Sequence, residues 1–202
     1  MISEHDRYRI SQAIHEAEKT TAGEIVVVVA RQASAYRAIP ALLGLFLALL
    51  VPWPLIWFTE LGSSRIFLIQ LIAACGLNAA FAWPPAHLGL IPRAIKRARA
   101  HEAAVREFTS HGLSRTQGRT GVLIYVAAAE HYAEVIADIG IADRAGPAAW
   151  QEIITDLIEA IRQEKAGDGL VQAVRRAGAI LAEHAPPGAR DANELPNKVV
   201  LL

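Results

Sequence analysis

The chain contains one cysteine, no net charge, few aromatic residues and none of the common catalytic signatures, and each shortage narrows what it can be. A lone Cys75 forbids an intrachain disulfide and rules out a cysteine-based zinc site. A net charge of +0 supplies no field that would attract a polyanion, so no nucleic-acid partner is expected. The opening residues, Met1-Ile2-Ser3-Glu4-His5-Asp6-Arg7, are charged and amphipathic, unlike a secretory signal peptide. No phosphate loop, dinucleotide fingerprint or nucleophile elbow occurs. His15-Glu16 and His101-Glu102 lack the second histidine of a zinc-protease helix. Internal repeats and low-complexity segments are absent, and no residue emerges as catalytic.

Apolar residues are abundant, at 53%, and they are concentrated between Ile39 and Trp83. Residues 39–58 read IPALLGLFLALLVPWPLIWF, with no charge. Residues 66–83 read IFLIQLIAACGLNAAFAW, with only Gln70 and Asn78 polar. A helix needs about 20 apolar residues to cross about 30 Å of hydrocarbon. The two runs therefore predict a transmembrane hairpin joined by the short linker 59–65; a pair of buried core helices is the alternative. Trp53, Trp57 and Phe58 sit at one interface and Trp83 at the other. Pro52 and Pro54 break or kink the first span near its outer end.

Short flanks set the orientation. Arg31 and Arg37 precede the hairpin, and Arg93, Lys96, Arg97 and Arg99 follow it, whereas the turn has Arg65 offset by Glu60. The positive-inside rule puts both flanks in the cytoplasm, which implies a multi-pass protein of an inner (plasma) membrane. The basic stretch Arg93–Arg99 also has a reading as an anionic-lipid contact.

The remaining segments read as an α/β domain. Ser3 caps a first helix with Asp6 three residues on, and Glu24–Ala30 is a β-branched run typical of a strand buried on both faces. After the hairpin, a basic helix over 93–109 has the predicted inward stripe Ala94, Ile95, Ala98, Val105 and Phe108, ending at Gly112. Val122–Ala127 and Tyr132–Ile139 predict a β-hairpin. Gly146-Pro147 opens a helix with the stripe Trp150, Ile153, Ile154, Leu157, Ile158 and Ile161. Gly167-Asp168-Gly169 stops it and caps a last helix whose inward residues are Leu170, Val174, Ala177 and Leu181. The expected division is 1–37, the first part of the soluble domain; 38–84, the hairpin; 92–185, the second part; and 186–202, a polar tail with a short terminal strand or strap.

Several segments together resemble the TPM domain family. They are Thr21–Val29, Phe108–Leu113, Arg119–Val126, Glu130–Gly140 and Gly167–Leu170, and the resemblance covers residues 2–30 and 100–185. It rests on order and spacing rather than on one motif. The resemblance implies an αβα sandwich with a mixed sheet, usually membrane-anchored. Some members are weakly active acid phosphatases or bind a divalent cation such as calcium or magnesium; others are accessory factors that maintain membrane complexes. This chain departs at Glu130-His131-Tyr132, where the family has a basic turn, and at Asp138-Ile139-Gly140-Ile141, where it has a Gly-Tyr-Gly-like turn. Glu4 or Asp6 stands in for the acidic residue before the first helix.

Candidate ligands for a hard cation are acidic. Asp138-x-Gly140-x-x-Asp143 offers two carboxylates by a glycine turn, as oxygen-seeking cations require. The ordinary roles of these residues compete: Asp143 as a cap or loop residue, Asp138 as a solvated strand end, Asp168 as an N-cap. Open α/β sheets bind ligands beyond the carboxyl ends of parallel strands. If the first two strands are parallel, that edge carries Arg31, Gln32, Glu130, His131 and Tyr132, with Asp138 at the opposite edge. Two functions are expected to compete, an accessory domain that contacts lipids and other membrane proteins, and a metal-dependent phosphatase of low activity. A transporter subunit is disfavoured, because two uncharged spans offer no pathway unless they oligomerise.

Overall fold

The computed structural model describes residues 2–36, 38–81, 89, 91–187, 195–196 and 199–202. Its elements are α1 (Glu4–Glu18), β1 (Ile25–Ala30), α2 (Ala38–Leu50), α3 (Pro52–Phe58), α4 (Ser63–Phe81) and α5 (Arg93–Ser110). A 3-10 turn (Leu113–Arg115) leads to β2 (Val122–Ala127), β3 (Tyr132–Ala137), α6 (Ile139–Arg162), α7 (Ala166–His184) and β4 (Val199–Leu201). The chain divides into two compact units, Met1–Ala33 with Arg97–Leu202, and Ser34–Lys96.

The first unit is built on a mixed four-stranded sheet in the order β3-β2-β1-β4. β1 lies parallel to β2, from Ile25↔Val122 to Ala30↔Ala127, and parallel to β4 on its other side. β2 and β3 are antiparallel. Alternate residues of the two central strands feed two cores, which is why their sequences are apolar throughout rather than alternating. Ile25, Val27, Val122 and Ile124 join Ile10 and Ile14 of α1, Ile153 and Leu157 of α6, and Leu170, Val174 and Leu181 of α7. Val26, Val28, Leu123 and Tyr125 meet Ala100, Ala103, Ala104 and Phe108 of α5. Helices thus cover both faces of the sheet.

Local chemistry sets most of the boundaries. The Ser3 hydroxyl accepts from the Asp6 amide at 3.1 Å, and the Asp6 carboxylate accepts from the Ser3 amide at 3.2 Å. Such a reciprocal cap stabilises a helix by about 1 kcal/mol. The Ser3 hydroxyl, and then its amide, hold the Asp6 carboxyl below its ordinary value. α1 packs closely on α7, where a Cβ at Gly178 would lie 2.5 Å from the Ala17 Cβ.

Three expectations are corrected. On α5 the inward face is Ala100, Ala103, Ala104 and Phe108; of the predicted stripe only Phe108 is buried, and Ala94, Ile95, Ala98 and Val105 are exposed. Alanines let the helix approach the sheet closely, whereas a hydrophobic pattern gives more weight to larger side chains. β3 ends at Ala137, because Asp138 turns the chain into a helix that begins at Ile139. That helix is interrupted at Gly146, whose φ of 74° breaks the spiral, and Pro147 then begins its second segment. Finally, α6 ends at Arg162 and α7 starts at Ala166, so Gly167, Asp168 and Gly169 lie inside α7, and Lys165, not Asp168, is its N-cap.

The second unit is a helical hairpin. Val51 separates α2 from α3, with Pro52 at the first position of α3, as expected for a residue lacking an N–H. The turn is shorter than predicted, because α4 already starts at Ser63. Its two arms approach at Gly44, where an added Cβ would lie 3.2 Å from the Asn78 amide nitrogen. That amide donates to the Ala74 carbonyl at 2.9 Å, which satisfies a polar group without leaving the helix. Ala38–Phe58 and Ser63–Phe81 are both long and apolar enough to cross a membrane. Their large side chains point outward, among them Leu42 (66% exposed), Phe46 (58%), Trp57 (77%) and Phe67 (66%). Arg37, Trp83, the end of the second predicted span and most of the predicted tail lie outside the described residues.

Candidate functional site

The carboxyl ends of β1 and β2 form one edge of the sheet, extended by backbone bonds from Ala128 N to Ala30 O and from Ala129 N to Arg31 O, both 3.0 Å. Glu130 stands in the turn that follows. Its Oε1 accepts from the Ala33 amide at 3.0 Å and so ties the exit of β1 to the β2–β3 turn. Its Oε2 is buried with no hydrogen-bond partner among the described residues. Beside it His131 takes a left-handed conformation, φ 51°, that closes the turn.

Next to this turn lies a second carboxylate that the sequence pattern did not single out. Glu134 accepts from the Tyr132 hydroxyl at 2.9 Å, and its Oε1 lies 2.9 Å from His101 Nδ1. The carboxylate orients the imidazole, which is half-exposed on α5. Burial, and then the neighbouring Glu134, push the Tyr132 hydroxyl well above its ordinary value. Burial likewise pushes Tyr125 up to about 12, with help from Glu130 and Glu107. Both phenols therefore stay protonated at neutral pH, and Tyr132 donates to Glu134.

The opposite edge has a different character. Asp138 is the N-cap of α6, its Oδ1 accepting from the Ile139 amide at 2.8 Å. The Arg119 guanidinium grips the same carboxylate twice, Nε at 3.2 Å and Nη2 at 3.1 Å. Asp138 is buried, not a solvated strand end, and Arg119 covers it from the solvent side. Gly140 follows because a Cβ there would come within 2.3 Å of the Gly118 carbonyl oxygen. Asp143 is exposed on α6 beyond this latch, and Asp168 pairs with Arg9 at 2.6 Å. Further along this edge Glu18 is pushed up to about 8, chiefly by burial, with Glu24 adding to the effect and the Ile25 amide opposing it.

Calcium and magnesium need about six oxygen ligands. Among the described residues no group of three or more His, Cys, Asp or Glu side chains is arranged to hold a metal ion. Asp138 and Asp143 do not fit a cation as they stand, because both Asp138 oxygens are held by the guanidinium. Glu130 offers one unpartnered oxygen.

The order of elements, the mixed sheet and the two helical layers agree with what the TPM resemblance implies. The family model for the TPM domain matches residues 90–180, from the start of α5 into α7. Over that stretch, 91 of its 202 residues, the chain is similar to the TPM domain. Among solved structures, this chain is similar in fold to the NMR structure of the BA42 protein from the psychrophilic bacterium Bizionia argentinensis, with a TM-score of 0.62. The two are 20% identical, and the match covers 100% of this chain and 96% of that one. No curated protein matches the sequence.

Proposed function

We propose that this chain is a TPM-like accessory domain anchored in the membrane by the α2–α4 hairpin, acting through protein contacts in the maintenance or assembly of a membrane complex. The observation that carries the reading is the outward display of the hairpin's apolar side chains. Leu42, Phe46, Trp53, Trp57, Phe58, Phe67 and Ile72 are each more than half exposed. Water does not tolerate so large a continuous patch, and hydrocarbon does. Their exposure also argues against the alternative of buried core helices. Two spans return the chain to the side it left, and the basic flanks support a reading in which that side is the cytoplasm of a bacterial-type inner membrane.

The test is topology. With Cys75 replaced by Ser, single cysteines at Ser63 and near the C-terminus are labelled with an impermeant maleimide on intact cells. Labelling at Ser63 alone is expected, and labelling of the C-terminal position from outside overturns the orientation.

The unpartnered Glu130 oxygen at the carboxyl edge favours a second reading, a phosphatase of low activity dependent on calcium or magnesium. Titration of the detergent-purified chain with each cation, followed by phosphate-ester hydrolysis, tests it. Activity that disappears in Glu130→Gln supports the enzyme; absence of binding and turnover removes it.

A further inference from the structure

On the first two turns of α5 the apolar pattern and the packing part company. Ala94, Ile95 and Ala98 have the spacing of a core stripe, yet all three are exposed, and burial on this helix begins only at Ala100. Successive helical residues are rotated by about 100°. Ala94, Ala98 and Ile95 therefore share one arc, with Arg97 along one flank and Arg99 along the other. Four basic residues, Arg93, Lys96, Arg97 and Arg99, fall within seven positions that contain no acid. Among the described residues, Arg99 pairs with Glu102 at 2.8 Å, whereas Arg93, Lys96 and Arg97 have no carboxylate within ion-pair distance.

We infer that the segment Arg93–Arg99 is an interfacial helix that recognises anionic phospholipid, its apolar arc seated at the acyl boundary and its cations on the lipid phosphates. An apolar arc with arginine on both flanks is the arrangement that lies in a bilayer surface, where long cationic side chains reach up to the headgroups. A purely cationic margin matches an anionic lipid surface. A protein partner would have to supply a matching row of acids, whereas the leaflet that receives the hairpin presents phosphates along the whole length of the segment. The inference rests on the membrane anchoring proposed above.

Its test uses the full chain with Cys75→Ser and one environment-sensitive fluorophore, at Ile95→Cys or at Leu68→Cys within α4. Each protein is placed in nanodiscs of phosphatidylcholine alone or with phosphatidylglycerol added. The fluorophore at Ile95 is expected to shift to the blue and resist aqueous iodide only with phosphatidylglycerol, and to lose both properties at high salt. Replacing Arg93, Lys96, Arg97 and Arg99 with Gln is expected to abolish the lipid dependence without changing the circular dichroism. A water-exposed Ile95 fluorophore in both lipids, with the Leu68 fluorophore in hydrocarbon, overturns the inference and spares the anchor. Equal protection in both lipids also overturns it, because charge would then play no part in recognition. A water-exposed Leu68 fluorophore removes the anchoring itself, a pattern distinct from the other two.

Discussion

β1 and the α2–α3 arm are written in nearly the same alphabet and meet opposite surroundings. Ile25, Val27 and Val28 are at most 1% exposed, closed in by helices on both sides of the sheet. Leu42, Phe46 and Trp57 are 66%, 58% and 77% exposed. Hydrophobicity alone sets a requirement for an apolar neighbour; period and length decide whether the chain supplies that neighbour itself. A six-residue β-branched run can be covered by one domain. A 21-residue helical arm that turns its large side chains away from its partner helix cannot.

An aspartate placed in each region sharpens the contrast most. Val27→Asp puts an unpaired charge between two helical layers, and the expected loss of more than about 4 kcal/mol leaves the first unit unfolded by circular dichroism and proteolysis. On the proposed anchoring, Leu42→Asp is expected to leave that unit folded but to weaken membrane integration by about 3 kcal/mol, read as the fraction extracted by carbonate. Equal tolerance of both substitutions would erase the distinction.

Arg119→Ala comes next. It leaves Asp138 buried with its cap bond but no counter-charge. Because the arginine is half exposed, the cost is expected to be about 1–3 kcal/mol in urea unfolding, with membrane integration unchanged. The last is a pH slope in the first unit. Glu18 titrates at about 8 when folded, against an ordinary value of 4.5. The folded state thus holds the proton more tightly, and this contribution is full below pH 4.5 and lost as pH rises through about 8. Glu18→Gln keeps an acceptor for the Ile25 amide and is expected to flatten the decline between pH 5 and 9. An unchanged slope would assign the pH dependence elsewhere.

These contrasts mirror what the sequence discloses. β1 and β2 are legible because β-branched runs have few alternatives, and α7 because Leu170, Val174, Ala177 and Leu181 keep one face through the helix. Short-range polar chemistry is legible too, as Ser3 and Asp6 show. The α5 face was misassigned because alanine weighs little in a hydrophobic pattern, although its small size makes close packing possible. The end of β3 was misassigned because Ile139-Gly140-Ile141 continues the apolar character of the strand, while one capping side chain at Asp138 reverses the backbone. The site partnerships were invisible for another reason. Arg119 meets Asp138, and His101 meets Glu134, across separations of 19 and 33 residues that only the sheet brings together.

The parallel pairing of β1 with β2 also dictates an order of events during synthesis. When Ile25–Ala30 leaves the ribosome, its strand partner does not yet exist, and residues 31–121 must be made first. At 5–20 residues per second that takes roughly 5–20 s. Throughout this interval a sticky, unpaired strand waits while the helical hairpin is made. The hairpin is therefore complete before the sheet can close, and a chain stalled after α4 would present β1 to chaperones rather than to β2.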